Sequence, residues 1–184
     1  EDHGRAGDGQ RVAHGVGADV RQVVQHPHLV HLRHDLAAEV AEPTEDLAAV
    51  VALDFLVWAQ HRIFHWVPLF WRLHRVHHAD RDFDTTTALR FHPLEILASM
   101  LIKVGAVLLL GPSAVAVVVF EIILNGCAMF NHANVRLPTW LDRVLRTVIV
   151  TPDMHRVHHS VLPGEHHTNF GFNLSVWDRV FRTY

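Results

Sequence analysis

The 184-residue chain has little cysteine and no strong excess of charge of either sign. Its single cysteine, Cys127, excludes a disulfide framework and a cysteine-rich zinc or iron–sulfur site. The 16 basic and 19 acidic residues nearly balance, so the composition indicates no nucleic-acid partner. The length predicts a single domain.

Residues 1–45 lack Phe, Trp, Tyr, Ile, Met, Cys and Lys, a composition that cannot build much of a core. They also lack the uninterrupted apolar stretch of a signal peptide. His28, His31 and His34 recur every three residues, but their surroundings favour a solvated segment over a metal site. We predict an atypical, poorly ordered N-terminal segment over 1–45. Its abrupt change of composition suggests non-native sequence. The domain proper is predicted over 46–184.

Beyond residue 45 the chain contains all five tryptophans and all ten phenylalanines. The stretch 47–60 is mostly apolar and is typical of a helix buried in a membrane or a core. It is marginal in length for a full span unless it continues through the histidines that follow.

A longer apolar stretch is interrupted at its middle by Gly111-Pro112, which separates 94–110 from 113–130. Each half is long enough to cross a bilayer core with help from flanking residues. We therefore predict a transmembrane hairpin, with a soluble, buried helical hairpin as the alternative. Lys103 and Glu121 are costly in lipid, so they should face the protein interior or reach the interface.

Histidine is abundant, with 18 residues. Residues three and four apart share one face of a helix, so grouped histidines at that spacing point their imidazoles in one direction. The pentad His-Arg-Val-His-His occurs twice. The candidate metal ligands fall into four groups: His61 and His65; His74, His77 and His78; His132; His155, His158 and His159.

Nine histidines are too many for one ion and suit two, because metal sites in proteins use about three or four protein ligands each. Imidazole binds Zn, Cu, Fe and Ni, so the ligand type does not select the metal. Neither histidine motif contains the carboxylate base of a zinc hydrolase. The same histidines would also suit a histidine-rich membrane metal-binding protein or a b-type heme electron-transfer protein.

Two crossings of the membrane would return the chain to its starting side and place all four groups there. Positive charge in short loops marks the cytoplasmic face, and arginines flank the hairpin on both sides. They are Arg62, Arg72, Arg75, Arg90, Arg136, Arg143, Arg146 and Arg156. The predicted fold is an all-α membrane bundle with a transmembrane hairpin and a cytoplasmic histidine-rich helical cap.

The chain resembles the fatty acid hydroxylase/sterol desaturase superfamily of integral membrane di-iron enzymes from about residue 46 to 184. The similar motifs are HRIFH at 61–65, WRLHRVHH at 71–78, RFHPLE at 90–95, NHANVRLP at 131–138, TPDMHRVHHS at 151–160 and NFGFNLSVWDRVFRTY at 169–184.

The resemblance implies two iron ions held by the nine histidines, and O2-dependent hydroxylation or desaturation of a lipid of sterol or fatty acyl type. No flavin or nicotinamide fingerprint is present, so the implied electron donor is a ferredoxin or a cytochrome-b5-like protein. Asp153 and Asn134 are expected to orient ligand imidazoles, as such sites require. Trp177 and Asp178 are expected to pack and cap the C-terminal segment.

Three further histidines lie in or near the motifs. His92 is expected to be structural or to support a ligand, and His166 and His167 to have a loop role. Two departures from the family pattern leave a truncated member without turnover as an alternative. Further membrane helices usually precede the first motif, and Arg182 stands where glycine is common.

Overall fold

The computed structural model describes residues 42–80, 83–162 and 164–184. Within them the regular structure is helical, with one isolated antiparallel bridge between Ile149 and Leu174, which confirms the predicted all-α class. The α-helices of this part are α1 Pro43–Trp66, α2 Pro68–His74, α3 Pro93–Leu110, α4 Ala114–Asn131, α5 Thr139–Leu145, α6 Pro152–His158 and α7 Val176–Val180. Tighter 3₁₀ turns at His77–Ala79 and Thr85–Leu89 lie between α2 and α3.

Residues 1–41 of the predicted N-terminal segment, which include its histidine triplet, lie outside the described residues. The first helix begins at Pro43 and extends to Trp66, so it does continue through His61 and His65. At 1.5 Å per residue its 24 residues extend about 36 Å, more than the marginal length of the apolar run alone.

Helices α1, α3 and α4 are each long and apolar enough to cross a membrane. Most of α3 is exposed, and only Glu95 is buried, so this helix is not the buried element of a soluble hairpin. Leu108 is 80 % exposed and Leu109 86 %. Side chains of this kind suit a lipid environment, and the chain is an integral membrane protein with its predicted hairpin in α3 and α4.

The hairpin turn is fixed by capping and by a contact with α1. Gly111 ends α3 with φ 65, a left-handed conformation that glycine adopts without steric cost. Ser113 caps α4 by accepting a hydrogen bond from the amide of Ala116. The Asp46 carboxylate accepts hydrogen bonds from the amide of Ser113 at 2.8 Å and from its hydroxyl at 2.6 Å.

This contact places the start of α1 beside the hairpin turn, and Gln60 near the other end of α1 hydrogen-bonds Ser99 of α3. Helix α1 is therefore antiparallel to α3. The C-terminal end of α1, the N-terminal end of α3 and the C-terminal end of α4 meet at one end of the three-helix unit. His61, Glu95 and His132 are brought to that end, where the shorter helices pack.

Candidate metal centre

All nine predicted ligand histidines meet at the end of the membrane helices. They form two groups, each with ring nitrogens within 4.8 Å of one another. The first cluster is His61, His65, His74, His78 and His158, and the second cluster is His77, His132, His155 and His159. Each HRVHH pentad contributes to both clusters, so the expectation that its imidazoles point in one direction is wrong. Its first and last histidines join one cluster and its fourth residue joins the other.

The first cluster joins the end of α1 to α2 and α6. The Nε2 atoms of His61 and His74 lie 3.1 Å apart, and so do those of His65 and His78. The ring of His158 stands 4.5 Å from that of His61, centroid to centroid. Helix α6 begins at Thr151, whose hydroxyl caps it by accepting from the amide of Met154.

The second cluster is centred on His132, which directly follows α4. Its Nε2 atom lies 3.1 Å from the Nε2 atoms of both His77 and His155. His77, His132 and His155 are completely inaccessible to solvent. Nitrogens bound to one metal at 2.0–2.1 Å would be about 2.9–3.4 Å apart for angles between 90° and 109°, and the observed spacing lies in that range.

The tautomers of four rings leave lone pairs facing each other. In the first cluster the Nδ1–H group of His61 donates to the Phe170 carbonyl at 2.8 Å. Nδ1 of His74 is hydrogen-bonded to the Glu95 carboxyl group at 2.5 Å and is the donor when that carboxyl is ionised. A neutral imidazole has one N–H, so both Nε2 atoms carry lone pairs. Two lone pairs 3.1 Å apart repel one another unless a cation lies between them.

The second cluster has the same arrangement. The Nδ1–H group of His77 donates to the Arg90 carbonyl at 3.2 Å, and that of His132 donates to the Ala128 carbonyl at 2.7 Å. Their Nε2 lone pairs therefore also face each other across 3.1 Å. The Nε2 atoms of His158 and His159 are buried without a hydrogen-bond partner among the described residues. The donor set of each cluster fits a metal ion.

Burial keeps these imidazoles neutral. Loss of solvation, followed by repulsion from neighbouring rings, lowers the pKa of His74, His155 and His158 well below the ordinary histidine value. Burial lowers the pKa of His132 to about 4. At neutral pH the rings therefore keep the lone pairs that a metal ion requires.

The groups that orient the rings differ from those expected. Asp153 is ion-paired with Arg156, and Asn134 is exposed, so the expectation that they support imidazoles is wrong. Glu95 and the backbone carbonyls hold the rings instead, including the Thr168 carbonyl, which accepts from His158 at 2.7 Å. Carbonyl groups leave no signal in a sequence. Glu95 does, since it is the last residue of the motif RFHPLE and lies near the start of an apolar helix.

Comparison with known proteins agrees with this geometry. The family model described as fatty acid hydroxylase matches residues 47–183, most of the chain. The chain belongs to the fatty acid hydroxylase family. It is 28% identical over 135 residues to the ornithine lipid hydroxylase of Rhizobium tropici. This alignment covers 73% of the present chain and 40% of the Rhizobium protein.

Alkylglycerol monooxygenases are also similar to this member of the fatty acid hydroxylase family. The human enzyme is 30% identical, in an alignment that covers 74% of this chain and 30% of the human protein. The enzyme of Xenopus tropicalis is also 30% identical, and its alignment covers 73% of this chain and 29% of the Xenopus protein. The chain therefore spans two-fifths or less of these relatives. No solved structure matches it.

The C-terminal motif of this fatty acid hydroxylase domain braces the first cluster. Asp178, which is fully buried, accepts hydrogen bonds from the indole of Trp58 at 3.0 Å and from the amides of Phe170 at 2.9 Å and Gly171 at 2.8 Å. A Cβ atom at Gly171 would lie 2.9 Å from Asp178, so only glycine fits there. This network fixes the Phe170 carbonyl that orients His61.

Trp177 completes the brace by donating to Asp54 of α1 at 2.7 Å. The expected packing and capping role of Trp177 and Asp178 is confirmed. Arg182, at the position where glycine is common, has φ 57, so it keeps the left-handed backbone at a cost of about 1–2 kcal/mol.

The remaining motif histidines lie outside the two clusters. His92 caps α3 by accepting a hydrogen bond from the amide of Leu94 at 3.2 Å, a structural role as expected. The Nδ1–H group of His166 donates to the Leu162 carbonyl, as expected of a loop residue, and the His167 ring lies 5.8 Å from that of His65.

A cavity of about 180 Å³ lies between α1, α3 and α4. His61 and His74 line it, while none of the second cluster does. The first cluster is therefore the one that a molecule held between the membrane helices would reach.

Proposed function

We propose that this chain holds the di-iron centre of a membrane enzyme that uses O2 to hydroxylate or desaturate a lipid C–H bond. The observation that supports this most strongly is the meeting of two buried sets of imidazole lone pairs beside a cavity between membrane helices. The proposed ligands of one iron are His61, His65, His74, His78 and His158, and those of the other are His77, His132, His155 and His159.

Two bound iron ions would supply the activation of O2 and the removal of hydrogen from an unactivated C–H bond. The chain itself holds the ligands in place through carbonyl and carboxylate groups that fix the ring tautomers. The cavity holds the lipid beside His61 and His74. Its walls belong to membrane helices, which limits the access of water to the reacting carbon.

The substrate is proposed to be a membrane lipid. The relatives are named for ornithine lipids and alkylglycerols, which are polar lipids with long aliphatic chains. An apolar chain fits a cavity lined by residues such as Val57, Ile96 and Leu124.

The electron donor is proposed to be a ferredoxin or a cytochrome-b5-like protein on the cytoplasmic side. The arginines that flank the hairpin support this orientation. An open groove of about 1240 Å³ is lined by His78 and His159, one from each cluster, and by Arg136. A reductant bound there would lie close to both proposed irons.

Metal analysis of the protein purified from its membrane tests the proposal. We expect about two irons per chain and a lower value for His77→Ala. The matched control is His92→Ala, which removes a helix-capping histidine that belongs to neither cluster. Zinc in place of iron, or a heme absorption band without non-heme iron, would contradict the proposal.

A further inference from the structure

All the charged and hydroxyl side chains of α3 lie on one face. They are Glu95, Ser99 and Lys103, each four residues from the next, and we call them the polar stripe. All three line the cavity between the membrane helices. The rest of α3 is apolar and mostly exposed. The polar face of this membrane helix is therefore directed at the cavity.

The cavity walls formed by α1 and α4 also carry polar side chains, and these lie opposite Ser99 and Lys103 of α3. Lys103 donates to the Glu121 carboxylate of α4 at 2.6 Å, and Ser99 is hydrogen-bonded to Gln60 of α1. Asn125, one turn after Glu121, donates to the Glu121 carbonyl at 2.7 Å. All five of these residues line the cavity.

Polar groups at such depth are costly, and in membrane proteins they typically mark a substrate path. The Lys103–Glu121 pair is still accessible, since the side chain of Lys103 is 22% exposed and that of Glu121 39%. An ammonium has three N–H donors and a carboxylate has two acceptor oxygens, so each retains capacity beyond their mutual bond.

Resting on the proposed function, we propose that the polar stripe with Glu121 is a subsite for a hydrogen-bonding group of the lipid substrate, such as a hydroxyl, ether, ester or amide. The C–H bond to be oxidised lies at the other end of the cavity, at His61 and His74. Glu95 contacts His74 directly, and Lys103 is eight residues further along α3, or about 12 Å.

The polar group and the oxidised carbon must both fit within this distance. The substrate class is therefore a polar lipid oxidised near its polar group, and a plain hydrocarbon is a poor ligand. The competing explanation is that Lys103 and Glu121 only hold α3 and α4 together, as polar pairs do in other membrane bundles. The two explanations differ in what they predict for ligand selectivity.

The test is photolabelling of the full chain reconstituted in phospholipid nanodiscs. Two diazirine-bearing octadecyl probes are compared, identical except that one carries a hydroxyl group. Labelled peptides of α1, α3 and α4 are quantified by mass spectrometry. We expect the hydroxyl probe to label the cavity about tenfold more than the alkyl probe, the size of effect of one hydrogen bond in a site away from water.

The double variant Lys103→Leu with Glu121→Leu should bring the two probes to equal labelling. Exchanging the two residues, Lys103→Glu with Glu121→Lys, keeps the ion pair and should keep most of the preference. Leu108→Ala, on the exposed side of α3, is the control and should leave the preference unchanged. The double variant Lys103→Met with Glu121→Met also removes both charges, so it replaces the leucine variant if that one fails to fold.

Equal labelling of the wild-type protein by both probes would overturn the inference. So would a folded double variant of either kind that keeps the full preference, because the pair would then be purely structural. Labelling requires neither iron nor O2. A protein that forms no oxidised lipid but keeps the probe preference contradicts the proposed reaction alone.

Discussion

The two histidine clusters differ in what surrounds them. The first cluster has a carboxylate partner, Glu95, and lines the cavity between the membrane helices. In the second cluster, Nδ1 of His77 and Nδ1 of His132 each bond a backbone carbonyl. The Phe91 ring stacks on His77, and the Phe83 ring stacks on His132. The first cluster is therefore the one placed to meet a substrate, and the second does not line the cavity.

This difference has a physical reason in the helices that supply each cluster. His61 and His65 come from α1, which forms a wall of the cavity, whereas His155 and His159 come from α6 and its end, outside the membrane helices. A carboxyl group such as that of Glu95 influences the basicity of its ligand imidazole differently from a carbonyl, although both fix the tautomer. We expect the two proposed metal ions to have different affinities.

Deletion of one ligand from each cluster should have the largest effect. His74→Ala removes one proposed ligand from the first cluster, and His132→Ala removes one from the second. Each variant should therefore lower the iron content from about two to about one per chain. Metal analysis by mass spectrometry measures this. His92→Ala is the control. If either ligand variant retained the full iron content, the assignment of separate clusters would be wrong.

Loss of the Glu95 carboxylate should affect the first cluster alone. Glu95→Leu should weaken metal binding there by about 10–100-fold, as expected for a group that orients a ligand. Titration with a competing chelator should then release one iron earlier than in the wild-type protein. Glu95→Gln keeps the hydrogen-bond acceptor and should have a smaller effect. Earlier release of both irons would show that the clusters do not act separately.

The smallest effects are expected for the aromatic residues beside the clusters, Phe170 and Phe83, and they concern the stability of the fold. Phe170 is 3% exposed and lies edge-on to His61 and His158, while Phe83 is only partly buried beside His132. Phe170→Leu should destabilise the protein by about 1–2 kcal/mol and Phe83→Leu by about 1 kcal/mol or less. Thermal unfolding in detergent gives the order. A larger loss of stability for Phe83→Leu than for Phe170→Leu would mean that aromatic packing around the second cluster contributes more to the stability of the fold.

Much of the architecture follows from local patterns. The Gly111-Pro112 break predicts the hairpin because glycine ends a helix and proline cannot continue one, and the structure confirms it. The extent of α1 follows less directly, since histidines after an apolar run do not by themselves show whether a helix continues. It continues because His61 and His65 are buried against other rings instead of in lipid.

The supports of the candidate site are not predictable in the same way. Asp153 has the right chemistry and lies beside a ligand motif, but its position in the first turn of α6 places it next to Arg156. The groups that hold the rings come from residues distant in the sequence, such as Phe170 for His61 and Glu95 for His74.

The sequence by itself determined the all-helical class, the hairpin and the break at Gly111-Pro112, because helix periodicity and capping act over a few residues. Only the tertiary structure decided how nine histidines divide into five and four. Each pentad contributes to both clusters, so the division depends on how distant helices pack at one end of the membrane unit. The polar face of α3 likewise became a cavity wall only when α1 and α4 were placed opposite it.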